Sequence, residues 1–208
     1  MRVYKFLDAH FGLKTLYEQR LKISKIDDLN DPFELLPFDL TDRAQRWAAR
    51  ETRKVFAATQ GVLCFSATWR DPVIWAHYSD KHKGICLGFD VPDDVARRVE
   101  YVSERFPFPQ PPTKADSDRM LWTKFNNWAY EEEIRIWAML DEHEDGIYYK
   151  DFDDNLRLIE VIAGAECSIP EHALQRALKP FPSVKPVKAR AGFKRFEIVV
   201  DQGGFPKS

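Results

Sequence analysis

The chain has little of what usually announces a function. Its three cysteines, Cys64, Cys86 and Cys167, are an odd number with no C-x-x-C spacing, which argues against a disulfide framework. The first two sit in apolar strand-like runs, where a thiol packs as a small hydrophobe, and the usage fits a reducing cytoplasm. Neither sign of charge dominates: 31 Lys and Arg stand against 33 Asp and Glu, so no overall field is directed at nucleic acid or an anionic membrane. There is no apolar run of about eighteen residues, and the opening MRVYKFLDAHFG lacks a cationic region followed by a long apolar one. The expectation is a soluble, cytoplasmic protein with no membrane partner. GICLGF lacks the spacing of a phosphate-cradling loop. No metal site is expected either, because His77 and His82 are five apart and miss the i, i+4 helical spacing, while His10, His143 and His172 fall in unrelated segments.

What is present is a 44% apolar chain of 208 residues, enough for one sizeable core, read as a single domain over 1–208. A strand over 3–6 precedes a helix capped by Asp8 and running to about Gln19, and Leu21 and Ile23 alternate with polar residues in a second strand. A helix over 41–59, capped by Thr41, is expected to turn Ala44, Trp47, Ala48 and Val55 to the core and Arg43, Arg46, Arg50, Arg53 and Lys54 to the other side. Residues 62–65 make a buried strand ending in Ser66. Short helices are predicted over 91–98 and 171–178, a proline-rich loop over 105–114, and a helix from Asp116 or Ser117 to about Ala129. The last third is read as strands over 147–149, 156–163, 184–189 and 193–200. These unequal elements form no regular βαβ series, so the expected class is α+β with a mixed or antiparallel central sheet surrounded by helices.

Two stretches carry the chemistry. Just before WAHYSDKHKGICLGFD, Asp71 caps and Pro72 opens a helix over 73–79 that runs into it and carries Trp75, His77 and Tyr78. A basic run then leads through Gly84 into the apolar strand over 85–89. In YEEEIRIW, alternation places Glu131, Glu133 and Arg135 on one side of a strand, either as a salt-bridge ladder or as a site. Paired carboxylates, a tyrosine on the first strand, a serine at a strand end and an aromatic-rich helix suit chemistry at a sugar. A carboxylate stabilises an oxocarbenium-like transition state, and rings stack on a base or nicotinamide.

YKF, LKIS, LNDPFE, LCFS, WAHYSDKHKGICLGFD and YEEEIRIW, taken in succession, resemble a bacterial and phage domain-of-unknown-function family marked by NDPFE, CFS, W-x-HY-x-D-x-HKG and YE-x-E-x-R. Its layout looks like the ADP-ribosyltransferase superfamily. That resemblance implies a compact split sheet, NAD as substrate, cleavage of the nicotinamide–ribose bond, and a toxin or phage-conflict setting. On it, Tyr4 or Lys5 matches the first-strand NAD position, Ser66 the second-strand position, and Glu131 or Glu133 the catalytic glutamate. Tyr4, Trp75 and Tyr78 would stack on the nicotinamide or adenine, and Lys5 or Arg135 would meet the pyrophosphate. Tyr78 joins the two glutamates as a catalytic candidate, and Ser24 and His77 join the NAD-binding set. The sequence departs from that pattern in lacking an arginine or histidine at the end of the first strand and an S-T-S triplet after LCFS. The acceptor is left open between protein, nucleic acid, a small molecule and water.

The spatial expectation is that Tyr4, Ser24, Asn30, Asp31, Glu34, Ser66, Trp75, His77, Tyr78, Glu131, Glu133 and Arg135 converge on one cleft. Bland roles are available: Asn30 and Asp31 as turn formers, and Glu34 as the partner of Arg135. The rival class is a non-catalytic nucleotide- or partner-binding module, in which the basic helix becomes the partner surface.

Overall fold

A computed structural model describes residues 1–206. The chain begins with β1 (Arg2–Leu7), α1 (Ala9–Glu18), β2 (Arg20–Lys25) and a 3-10 turn (Ile26–Asp28), then α2 (Arg43–Thr59), β3 (Gln60–Ser66), α3 (Pro72–Tyr78) and β4 (Ile85–Asp90). Next come β5 (Arg97–Arg98), β6 (Glu100–Val102), α4 (Lys114–Trp122), β7 (Thr123–Phe125), a 3-10 helix (Asn126–Glu131) and β8 (Glu133–Met139). It closes with β9 (His143–Glu144), β10 (Ile147–Asp151), β11 (Arg157–Ala163), α5 (Glu171–Ala177), β12 (Pro186–Ala191) and β13 (Ile198–Val200). The class is α+β with a mixed sheet, as the unequal elements imply.

The described residues cluster into two compact units, one drawn from Met1–Leu21, Phe65–Val95 and the chain from Lys150 on, the other from Lys22–Cys64 and Ala96–Tyr149. In the first, strands run in the order β13, β12, β11, β4, β1. β11 and β12 are parallel and the other neighbours antiparallel, with Tyr4 opposite both Gly88 and Ser66. Ile85 through Phe89 are all buried, so β4 reads as a continuous apolar run instead of an alternation. Gly12 explains how close α1 comes to it, because a Cβ there would collide with Ile85. Asp8 caps α1 through Phe11 N at 2.8 Å, and Asp71 caps α3 through Val73 N at 2.7 Å with Pro72 at the first helical position.

In the second unit β2 pairs antiparallel with β3, β8 pairs with β3 and β5, β9 and β10 form a hairpin, and β6 and β7 make a separate parallel pair. Ile26, Leu35, Phe38 and Met120 form a buried cluster that Phe56, Phe106 and Trp137 pack against.

Several elements differ from the sequence reading. α2 is capped by Asp42, whose carboxylate accepts from Ala44 N and Gln45 N, and not by Thr41. None of its residues is fully buried, and Trp47 and Val55, expected in the core, are 65% and 67% exposed. The helix rests on its Phe56 and Ala57 side, which turns Trp47 to water. Residues 91–98 are not a helix: Val95 N closes one turn on Pro92 O, and Arg97–Arg98 is claimed by β8, with Arg97 opposite Arg135. The helix expected to reach Ala129 stops at Trp122 because Thr123–Phe125 pairs with Glu100–Val102. Pairing outweighs helical periodicity here, and it changes where Lys124 points. The final strand is confined to Ile198–Val200, leaving Phe193 and Phe196 exposed.

Candidate functional site

The site is built in the second unit around β8. Residues two apart on a strand share a face, so Glu133 and Arg135 lie side by side. Arg135 Nε donates to Glu133 Oε1 at 2.7 Å and Nη2 to Oε2 at 3.1 Å. Nη2 also donates to Glu34 Oε1 at 2.6 Å, and Nη1 to Leu121 O at 3.1 Å. Arg135 is wholly buried, and its planar fork suits three acceptors at fixed angles.

Glu131 arrives by a different route from the one alternation implies. The strand begins only at Glu133, and Glu132 takes a left-handed conformation (φ 43°, ψ 49°) that turns the chain out of the 3-10 helix. What unites the two carboxylates is Lys124, whose Nζ donates to Glu131 Oε2 at 2.5 Å and to Glu133 Oε2 at 2.9 Å. Glu34 Oε1 is 3.9 Å from the same ammonium, and the Trp128 ring centroid lies 4.9 Å from it. The β6–β7 register sets Tyr101 beside Lys124, and the Tyr101 hydroxyl accepts from Glu133 N at 2.8 Å.

Three carboxylates and two cations leave one excess negative charge if all are ionised. Burial works against ionised Glu133, but Arg135 and Lys124 outweigh it and hold this carboxyl at about 2. Burial likewise opposes the charge on Lys124 and on Arg135, and the surrounding carboxylates reverse that, lifting both above their ordinary values. Glu34 goes the other way: burial, with repulsion from Glu133, raises it despite Arg135. Its Oε2 is buried without a hydrogen-bond partner. Tyr101 is pushed up to about 12, chiefly by burial. The cluster therefore contains a fixed carboxylate, Glu133, and a carboxyl that protonates more readily, Glu34. A cavity of about 210 Å³ adjoins it, with Thr123 and Lys124 in its wall beside Phe33, Leu36 and Arg105.

Of the residues the sequence nominated, this unit brings together Glu34, Glu131, Glu133 and Arg135. Ser24 stands on β2 opposite Val62. Asp31 shapes the turn, its carboxylate accepting from Phe33 N at 2.9 Å, and Asn30 is exposed beside it. In the other unit Tyr4 and Ser66 are register partners. Burial, reinforced by Glu160, raises Tyr4 to about 12, and Ser66 Oγ accepts from Thr68 N at 3.1 Å. Lys5 is half-buried on β1, His77 is exposed on α3, and Tyr78 beside it is half-buried with its ring 6.2 Å from that of His77. Trp75 is a correction. It is completely buried, its Nε1 donates to Trp69 O at 2.6 Å, Phe6 meets it edge-on, and the His82 ring stacks on it. With its surface taken by core contacts, it is not a stacking platform for a ligand.

Lys124 and Tyr101 were not nominated. No local signal marked Lys124: Trp122, Thr123, Lys124 and Phe125 run apolar, polar, polar, apolar without a strand's alternation, and a helix running to Ala129 accommodates them. Among the described residues no group of three or more His, Cys, Asp or Glu is arranged to hold a metal, and no helix is long and apolar enough to cross a membrane. Comparison with protein-family models, curated proteins and solved structures gave no match to this chain.

Proposed function

We propose that the chain is an ADP-ribosyltransferase-like enzyme that takes NAD as substrate and cleaves its nicotinamide–ribose bond. The observation that carries this reading is the pair Glu131 and Glu133 held on one ammonium at the entrance to β8, beside a cavity. It joins the E-x-E resemblance in the sequence to a charge arrangement suited to the chemistry. Departure of neutral nicotinamide leaves positive character on the ribose carbon, and preorganised carboxylates favour that state over the ground state. Glu133, ionised and pinned by Arg135, supplies fixed negative charge and positions its neighbours. Glu131, bonded to Lys124, is the group we assign to a ribose hydroxyl. Lys124, in the cavity wall, is the group we assign to a phosphate or ribose oxygen. The buried, unpartnered Oε2 of Glu34 is a further acceptor in the same cluster. With three free thiols, we assign this activity to a reducing cytoplasm, in a toxin or phage-conflict role.

The second reading is a non-catalytic nucleotide- or partner-binding module. It is favoured by the mutual pairing of the cluster, whose five charged members are each less than a tenth exposed. Incubation with labelled NAD separates the two. The enzyme reading expects turnover in the wild type and a loss on the order of a hundredfold or more in Glu131→Gln, with far less change in NAD affinity. Absence of NAD binding, or turnover unchanged in both Glu131→Gln and folded Glu133→Gln, rejects the enzyme reading.

A further inference from the structure

We propose that the outward face of α2 binds single-stranded nucleic acid, with Trp47 as a stacking platform and Arg43 and Arg50 as phosphate contacts. The inference does not depend on the NAD reading.

α2 carries five basic side chains, Arg43, Arg46, Arg50, Arg53 and Lys54, against one acidic, Glu51. Three of the five are occupied. Arg46 Nη1 donates to Leu40 O and Thr41 O at 2.8 and 2.5 Å, Arg53 lies 3.7 Å from Asp27, and Lys54 pairs with Glu51 at 2.8 Å. Arg43 and Arg50 are exposed and make no hydrogen bond or ion pair among the described residues. These two flank Trp47 at i−4 and i+3, so all three project from one face, the Arg43 and Arg50 Cα atoms about 10 Å apart along the axis with that of Trp47 between them.

Trp47 belongs to that arrangement and not to the core. It is 65% exposed, while the Phe56 and Ala57 side meets the buried cluster and Ala48, Ala49 and Thr52 line a partly open pocket of about 300 Å³. A long helical side chain lies back over the preceding turn. Partial exposure of this kind leaves one ring face for stacking, which every base can use. An acidic peptide would match the guanidiniums alone and leave the indole unused. Because the whole chain is net −2, the attraction is local to this face.

The test is fluorescence anisotropy of the full chain with labelled oligouridylate and oligothymidylate of about a dozen nucleotides, between about 50 and about 200 mM salt. Binding should weaken steeply with salt. Arg43→Gln with Arg50→Gln should reduce the logarithmic salt slope by about 1.4, from about 0.7 per single-strand phosphate contact. Trp47→Ala should weaken binding about fivefold to a hundredfold and leave that slope unchanged. All three side chains are exposed, so the variants should melt with the wild type, and this is checked first. No wild-type binding at the lowest salt overturns the proposal, as does binding indifferent to Trp47→Ala. Displacement of the oligonucleotide by polyglutamate with that same indifference identifies an acidic-protein surface and equally overturns it.

Discussion

Arg135 Nη2 donates to Glu34 Oε1 at 2.6 Å, closing a link across 101 residues between NDPFE and YEEEIRIW. With 2.7 Å to Glu133 and a further bond to Leu121 O, the guanidinium fastens three segments of one unit from a buried position. Burying an ion pair gains little net stability, but removing one partner strands the other.

Glu133→Gln and Glu34→Gln should therefore differ. The first removes the charge that both Lys124 and Arg135 are bonded to, and breaking such a buried pair costs about 3 to 5 kcal/mol. The second removes a carboxylate that burial already disfavours and whose Oε2 has no partner, while an amide oxygen still accepts from Arg135. Its cost should stay within about 1 kcal/mol. Urea denaturation of both variants checks this, and equal losses contradict the assignment of Glu133 as the anchor.

The same two carboxyls give opposite pH dependences. Glu133 is depressed from 4.5 to about 2 in the folded chain, so its stabilisation is present above pH about 4.5 and is lost as pH falls toward 2. At about 1.4 kcal/mol per pKa unit this contribution is about 3 kcal/mol at most. Glu34 is raised, so protonating it on acidification favours the folded state and partly offsets that loss. In Glu34→Gln the offset is gone, and stability should fall more steeply below pH about 5 than in the wild type. Denaturation midpoints across acidic pH measure the two slopes, and a shallower slope in the variant would falsify the assignment.

The SDKHKG segment stores strain that a single glycine should relieve. Asp80, Lys81 and His82 have φ of 42°, 55° and 68°, three successive left-handed residues without a glycine among them. The turn is held by His82 N to Trp75 O, Lys83 N to Asp80 O, Gly84 N to Ser79 O and Glu166 N to His82 O. Left-handed backbone costs an L-residue about 1 to 2 kcal/mol, against about 0.5 to 1 kcal/mol of extra chain entropy for glycine. Exposed Lys81 should thus accept glycine with a neutral or raised melting temperature. Lys81→Val, branched at Cβ, should lower it, and the reverse order would show that the turn is not strained at Lys81.

The sequence by itself determined the elements whose signals are local. Asp8 and the Asp71-Pro72 pair mark helix starts because a carboxylate satisfies the free N–H groups of the first turn wherever the chain sits. Period two alone makes Glu133 and Arg135 neighbours, whereas the pairing of Glu34 with Arg135, one of the roles open to Glu34 in the sequence, spans 101 residues and was decided by the fold. Other outcomes required partners distant in sequence. Trp122-Thr123-Lys124-Phe125 is compatible with helix or strand, and pairing of β7 with β6 decided for strand and delivered Lys124 to the carboxylates. An indole's identity does not say what surrounds it: Trp75 fits the core and Trp47 a solvent-facing platform equally well in sequence. Only packing around Phe6 and His82 buried the first, and only the seating of α2 on Phe56 and Ala57 exposed the second. Burial belongs to the assembled neighbours, whereas caps and alternation belong to the local backbone.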